Sequence, residues 1–142
     1  MYENIRVLQE HKLPLEIRFV GETVCDEKYI IKRKHSEIMS LEYIVDGKGV
    51  LEINGQTLYP KKGDIFLLTE GSEHKYYCDK NEPWHKYFVS FGGAMGKSLI
   101  ESYIPPDTYL FDGCFIEKSF ERIFDIAFNN DDFEKIQSLG GV

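Results

Sequence analysis

The feature that most constrains this chain is a series of short runs in which apolar and polar residues alternate. Period-two alternation places successive side chains on opposite faces of a β-strand. The runs follow one another closely through the first 92 residues, with turn residues and no helix-length pattern between them. Such a series favours a sandwich or barrel over parallel βαβ units. The predicted strands cover residues 14–20, 28–32, 41–45, 50–53, 56–59, 65–69, 73–78 and 84–91.

Two of the intervening turns have specific chemistry. Asp46-Gly47-Lys48-Gly49 separates two alternating runs and predicts a hairpin between residues 41–45 and 50–53. Asn54-Gly55 predicts a second hairpin of type I′, because Asn and Gly tolerate the positive φ that both central residues of that turn require.

The hydrophobic period changes after the last predicted strand. From Cys114 to Phe128 apolar residues recur every three to four positions, which predicts an amphipathic helix. A weaker helix is expected over 94–103, ending before Pro105-Pro106, and another from Asp131 to Leu139, where acidic residues lie near the N-terminus. We therefore expect a barrel with an N-terminal arm over residues 1–93 and a helical region over 94–142, which ends abruptly, as though more protein would follow.

Length, charge and cysteine content narrow the class of protein. The 142 residues fit one domain, and the formal net charge of −7 argues against a self-sufficient nucleic-acid binder. The sequence contains neither a membrane-spanning apolar run nor a signal peptide pattern. Cys25, Cys78 and Cys114 are odd in number and widely spaced. Together these features favour a cytoplasmic protein that makes no contact with a membrane.

Common catalytic motifs are missing from the sequence. GxSxG, HExxH and CxxC do not occur. The stretch 92–98 superficially looks like a phosphate-binding loop, but only three residues separate Gly92 from Gly96. We interpret it as a strand-to-helix turn, and we predict no cofactor and no catalytic residues.

Three histidines lie on or beside predicted strands and raise the question of a metal site. His35, His74 and His85 could supply nitrogen ligands, and Glu42 a carboxylate. A metal-binding barrel usually draws two histidines from positions i and i+2 of one strand, and His35 has no such partner. We therefore predict no metal and assign His74 a hydrogen-bonding role inside the barrel.

Residues 47–93 carry short motifs in a fixed order. They are Gly47-x-Gly49, Asn54-Gly55, Gly63-Asp64-Ile65-Phe66-Leu67-Leu68, Gly71-x-x-His74-x-Tyr76, Pro83-Trp84 and Phe88-Val89-x-Phe91-x-Gly93. In this order they resemble the sensor domains of AraC-type transcription regulators, and the resemblance extends over about residues 14–139. Glu70 departs from it, since the family usually has Pro before that glycine. The resemblance implies a mainly β fold, namely a cupin-like double-stranded β-helix (jelly-roll) barrel followed by two to three α-helices.

The resemblance also implies partners. Such domains bind a small-molecule effector, commonly form homodimers through the helices after the barrel, and contact DNA only through a C-terminal helix-turn-helix domain, which is missing from this chain. The corresponding dimer interface would be formed by Phe120, Ile123, Phe124 and Ala127. Alternatively, this apolar stripe simply covers the barrel.

An effector of this family sits inside the barrel, closed by the N-terminal arm in the arabinose-responsive prototype. A sugar needs hydrogen-bonding groups for its hydroxyls and an aromatic face for its C–H surface. By position in the resemblance and by strand face, the ligand-binding residues would be Arg33, His74, Tyr76, Trp84, Lys86 and Phe88. For Trp84 and Phe88 the competing interpretation is a place in the core. For Arg33 it is the solvated end of an edge strand.

Three functions remain open at this point. The favoured one is a sensor domain that binds a sugar or similar small polar effector and so controls DNA binding. The first alternative is a small metal-dependent cupin enzyme, such as a sugar isomerase or dioxygenase, with His74 and Glu42 as the best acid/base pair. The second is a pure dimerisation module whose barrel is filled, with no cavity beside Tyr76.

Overall fold

The computed structural model describes residues 1–7 and 16–129, with only the backbone for Phe124 and residues 127–129. Ten strands and two helices lie in these ranges. The strands are β1 (Tyr2–Val7), β2 (Glu16–Val24), β3 (Ile30–Arg33), β4 (Met39–Asp46), β5 (Gly49–Ile53), β6 (Gln56–Leu58), β7 (Ile65–Leu68), β8 (His74–Cys78), β9 (His85–Gly92) and β10 (Leu110–Phe111). The helices are α1 (Ala94–Tyr103) and α2 (Glu117–Asn129).

The strands form two antiparallel sheets that face each other as a jelly-roll barrel. One sheet has six strands in the order β1-β2-β9-β4-β7-β10, and the other has four in the order β3-β8-β5-β6. Strands distant in the chain are therefore neighbours, and only β1–β2 and β5–β6 pair with the next strand along. This architecture is the expected cupin-like double-stranded β-helix, followed by helices.

Side-chain alternation divides the core in two. Inward residues of both sheets form a cluster around Trp84 and Phe66, which have no exposed surface. Outward residues of the six-stranded sheet form a second cluster, which α2 covers. There the rings of Tyr43 and Phe120 stack with centroids 5.5 Å apart. One face of the six-stranded sheet thus faces the barrel interior, and the other packs against α2.

The predicted hairpin at residues 46–49 is wrong. β4 and β5 flank this turn as expected, yet they lie in different sheets and do not pair. The chain crosses between sheets here, and Gly47 packs so closely against the backbone of Pro83 that a Cβ would lie 2.2 Å from the Pro83 carbonyl oxygen. A local turn motif alone does not distinguish a hairpin from such a crossover.

The Asn54-Gly55 hairpin is confirmed. Asn54 and Gly55 have φ values of 46° and 83°, and β5 pairs with β6 across them. All eight predicted strands have a counterpart in the structure, with bounds that differ by a few residues. Residues 14 and 15 of the first predicted strand lie outside the described residues.

The helical predictions are confirmed in part. Helix α1 has the predicted bounds, whereas α2 begins at Glu117 rather than Cys114. The delay has a local cause, because Phe115 adopts φ 47°, which interrupts a right-handed helix. The helix predicted over 131–139 lies outside the described residues. Neither described helix has the length and apolar character needed to cross a bilayer.

Two short strands were not predicted. β1, within the expected N-terminal arm, pairs with β2 from Tyr2↔Val24 to Val7↔Phe19 and forms one edge of the six-stranded sheet. β10 pairs with β7 at the opposite edge, although it belongs to the region expected to be helical. Residues 94–129 therefore add a strand to the barrel as well as helices.

Candidate ligand-binding pocket

A cavity of about 150 Å³ opens inside the barrel between the edges of the two sheets. Strands β1, β3, β4, β7, β8 and β9 all contribute to its wall. The opposite end of the barrel interior is filled by the cluster around Trp84. The cavity beside Tyr76 contradicts a completely filled barrel. Its lining residues are Glu3, Ile5, Tyr29, Ile31, Arg33, Ile38, Ser40, Glu42, Leu68, Tyr76, Lys86, Phe88 and Ser90.

A buried ion pair forms the floor of this cavity. Lys86 Nζ lies 2.6 Å from Glu42 Oε1, and the two residues are 1% and 2% exposed. The Ser40 hydroxyl donates to the other Glu42 oxygen. Inward positions on β4 and β9 bring these residues together, since Lys86 pairs with Ile44 and Glu42 with Phe88. Buried charges are costly unless paired in this way.

Three aromatic rings surround the Lys86 ammonium. The ring centroids of Phe88, Tyr29 and Tyr76 lie 4.8, 5.5 and 5.6 Å from Nζ, within range of cation–π attraction. Burial disfavours the ammonium, but the Glu42 carboxylate and the polar rings outweigh it and raise the pKa of Lys86 well above its usual value. Lys86 is therefore a fixed cation at neutral pH.

Phe88 forms an apolar wall of the same cavity. Its ring lies over Gly21 of β2, where a Cβ would come within 2.4 Å of the ring. Gly21 pairs directly with Phe88 in the sheet. The absence of a side chain at residue 21 therefore sets the position of this ring.

Arg33 enters the cavity from the end of β3. Its Nη1 lies 3.0 Å from Nε2 of His74 and donates to the Tyr76 hydroxyl at 3.3 Å. On its other side, His74 Nδ1 lies 2.8 Å from the Ser72 hydroxyl. Burial, together with the Arg33 charge, lowers the pKa of His74 to about 4. His74 is thus neutral at physiological pH.

The structure separates the six predicted ligand-binding residues into two groups. Arg33, Tyr76, Lys86 and Phe88 line the cavity. His74 contacts Arg33 but is not among the lining residues. Trp84 fills the far end of the barrel, where its indole N–H donates to the Pro60 carbonyl at 3.0 Å.

Several lining residues escaped the sequence interpretation. Ser40 and Glu42 occupy alternate positions of β4, and Ser90 lies two residues beyond Phe88, so strand alternation carried the signal for all three. Glu3 and Ile5 belong to β1, which was not predicted as a strand. For Glu42 the sequence suggested a metal ligand or an acid/base partner of His74, not an ion pair with Lys86.

Three of the four residues named for a metal site have other partners. Glu42 binds Lys86, His74 contacts Arg33 and Ser72, and His85 lies 2.7 Å from Glu22. Within residues 1–7 and 16–129, no group of three or more His, Cys, Asp or Glu side chains is arranged to hold a metal ion. The absence of a metal stays a prediction.

Predicted dimer-interface residues are described in part. Phe120 is 5% exposed and packs on its own barrel. Ile123 is half-buried beside the same cluster. The side chains of Phe124 and Ala127 lie outside the described set.

The double-sheet jelly-roll barrel places this chain in the class of proteins with the cupin fold. Solved structures share the fold. An RmlC-like cupin family protein with a double-stranded β-helix fold from Methanocaldococcus jannaschii is 15% identical, covering 68% of this chain and 85% of that one, with a TM-score of 0.50. The protein YhaK from Escherichia coli is 12% identical, covering 78% of this chain and 49% of that one, with a TM-score of 0.57.

Within this class the family can be stated. The AraC-like ligand binding domain family matches residues 16–130, and the chain belongs to that family. It is similar to the Msm operon regulatory protein of Streptococcus mutans, with 30% identity over 61% of this chain and 31% of that protein. It is also similar to the raffinose operon transcriptional regulatory protein of Pediococcus pentosaceus, with 26% identity over 63% of this chain and 33% of that protein. The match thus spans about a third of each curated relative.

Proposed function

We propose that the barrel cavity is the effector site of a transcription regulator and that its ligand is a sugar or similar small polar metabolite. The observation that carries this proposal is the buried Lys86–Glu42 pair on the floor of an open cavity. A buried ion pair is seldom the most stable way to fill a core. Placed in a cavity wall, the same pair offers a donor and an acceptor to a hydroxylated ligand.

The rest of the lining fits a sugar. Ser40, Ser90 and Tyr76 carry hydroxyl groups, and Phe88 offers an apolar ring face for C–H groups. The four charged lining residues, Glu3, Arg33, Glu42 and Lys86, sum to zero formal charge, which suits a neutral ligand. Two similar proteins are named as regulators of raffinose and lactose operons, which supports a carbohydrate.

The size of the cavity limits the ligand. A void of this order accommodates a single six-membered ring. We therefore expect the site to hold one monosaccharide unit, either free or as the terminal residue of a longer sugar that extends through the opening.

Calorimetric titration with a panel of monosaccharides and their α- and β-galactosides and glucosides tests the proposal. A matched pair of variants on β8 sharpens it. Tyr76→Phe removes a hydroxyl from the cavity, whereas Tyr77→Phe removes one from the outer face, where Tyr77 contacts Lys75. Binding of a sugar that Tyr76→Phe weakens and Tyr77→Phe leaves unchanged would support the site. No heat with any sugar would count against it.

We further propose that the domain forms a homodimer through α2. Ile123 retains partial exposure beside the covered cluster, and Phe124 and Ala127 continue the apolar stripe in sequence. Sedimentation equilibrium should show a dimer that Ile123→Glu weakens without loss of the circular dichroism spectrum. A monomeric wild type at all concentrations would contradict it.

We also propose that DNA binding belongs to a part of the regulator outside this barrel. The chain has a net charge of −7, and acidic surfaces repel the phosphate backbone. In the curated relatives the matched region covers only 31% and 33% of the protein, which leaves room for a helix-turn-helix domain in such regulators. Ligand binding would shift the populations of arrangements that present those domains.

The competing enzyme proposal requires a metal or an acid/base pair in the cavity. Its best candidates, His74 and Glu42, each contact a cation, Arg33 and Lys86 respectively. A non-catalytic role fits this arrangement better, since both groups already have strong partners. Elemental analysis of purified protein separates the two, because stoichiometric iron, manganese or zinc would favour the enzyme.

A further inference from the structure

His74 touches a cavity residue without lining the cavity itself. Its ring connects Arg33, at the cavity wall, to Ser72, in the turn before β8. Both His74 and Ser72 are 2% exposed. The position of the single imidazole proton can be derived from these contacts.

The derivation starts at Arg33. A guanidinium only donates hydrogen bonds, so Nε2 of His74 must accept from Nη1 at 3.0 Å and carries no proton. A neutral imidazole then has its proton on Nδ1. This Nδ1–H donates to the Ser72 oxygen at 2.8 Å.

The other end of the chain requires the same tautomer. The Ser72 hydroxyl has one proton, which it donates to the Thr69 carbonyl at 2.7 Å. Its oxygen is therefore free to accept from His74. Every donor in the series has an acceptor only if His74 is the Nδ1–H tautomer, so a backbone carbonyl ultimately orients the Arg33 side chain.

The same contacts determine which part of Arg33 is left for a ligand. The two protons of Nη1 are taken by His74 Nε2 and by the Tyr76 hydroxyl. No residue in the described part of the chain accepts from Nε or Nη2. These two nitrogens form the side of the guanidinium fork that suits a pair of neighbouring oxygen atoms.

We propose that His74 is a positioning residue that Ser72 holds in its Nδ1–H form. His74 occupies Nη1 of Arg33 and leaves Nε and Nη2 to donate to two adjacent hydroxyl oxygens of a sugar. This inference rests on the proposed function of the cavity. It implies that the site selects sugars with two hydroxyl groups on adjacent carbons. Groups that orient metal ligands commonly change the affinity for the metal by about ten- to a hundredfold, and we expect an effect near the lower end of that range for a group that orients Arg33.

Two variants test the two contacts of His74 separately. In His74→Gln the carbonyl oxygen reaches about as far as Nε2 and retains an acceptor for Arg33. In His74→Asn the shorter amide retains contact with Ser72 and loses Arg33. We expect His74→Gln to bind the sugar nearly as wild type does, and His74→Asn to lose about tenfold in affinity, as does a sugar lacking one hydroxyl of the diol.

The tautomer is measured without any ligand, by long-range ¹H–¹⁵N NMR of the His74 ring. A proton on Nδ1 supports the proposal, and a proton on Nε2 overturns it. Equal sugar affinity of wild type and His74→Asn also overturns it. If no sugar binds the wild type, the proposed function fails instead. The positioning role is then decided by crystal structures of the two variants, where the guanidinium should stay in place in Gln and move in Asn.

Discussion

The ammonium of Lys86 lies 2.6 Å from a carboxylate oxygen of Glu42, and neither residue exposes more than 2% of its surface. The pair joins inward positions of two adjacent strands, β4 and β9, and places one charge of each sign at the cavity. The cost of burying both charges is offset by the Ser40 hydroxyl and by the rings of Tyr29, Tyr76 and Phe88.

Replacing one member of this ion pair should destabilise the protein more than replacing both. Lys86→Met leaves an unpaired buried carboxylate and Glu42→Leu an unpaired buried ammonium, each expected to lower the free energy of unfolding by about 3–5 kcal/mol. The double variant leaves no charge and should lose less than either single variant. Urea unfolding of all four proteins measures these values. A double-variant loss equal to the sum of the single losses would contradict the buried-pair description.

Acid should destabilise the protein through His74. Its folded-state pKa is about 4, below the ordinary 6.5, because burial and the Arg33 charge disfavour the imidazolium. The unfolded chain therefore binds the proton more readily, and stability falls as the pH drops from about 6.5 to 4. The full effect is roughly 3 kcal/mol.

The measurement is urea unfolding at half-unit pH steps, with two glutamine variants. His74→Gln should remove most of the loss between pH 6.5 and 4. His35→Gln, in an exposed turn, should leave it unchanged. Parallel curves for wild type and His74→Gln would show that other groups cause the acid sensitivity.

The sequence predicted the strands well because each carries its own alternation and turn chemistry. Apart from the β5–β6 hairpin, it did not predict which strands pair. The turn at Gly47 looks like a hairpin locally, but its backbone contacts residues that are distant in the chain, among them Pro60 and Pro83. Likewise β10 has two residues and exists through its pairing with β7. Such features depend on tertiary contacts that a single sequence does not display.

For the candidate site the sequence predicted which face of a strand a residue occupies, but not its position along the barrel. Strand alternation placed Tyr76, Lys86 and Phe88 correctly on inward faces. It could not tell how deep each position lies, so Trp84, on the same face as Lys86, was assigned to the cavity although it fills the opposite end. The role of His74 depends on its contact with Arg33, 41 residues away in the chain.

Two glycines with nearly the same backbone geometry should respond differently to alanine. Gly47 and Gly55 have φ values of 85° and 83°, so both substitutions incur the penalty of a left-handed conformation, about 1–2 kcal/mol. A Cβ at Gly55 meets nothing within 4 Å, whereas at Gly47 it would overlap the Pro83 carbonyl. Gly47→Ala should therefore lower the melting temperature clearly more than Gly55→Ala. Equal shifts would show that the crossover has room for a methyl group.

A substitution of Phe120 distinguishes packing within one chain from packing between two chains. Because its ring stacks on Tyr43 of the same barrel, Phe120→Ala should lower the free energy of unfolding by about 3–5 kcal/mol. The loss should not depend on protein concentration, since an intramolecular contact contributes equally in monomer and dimer. An interface contact would behave otherwise, because mass action makes its contribution larger as concentration rises. Thermal unfolding over a hundredfold range of concentration distinguishes the two, with Tyr103→Ala, at a residue 77% exposed, as the control. A Phe120→Ala effect that grows with concentration would show that this residue lies in a dimer interface rather than between α2 and its own barrel.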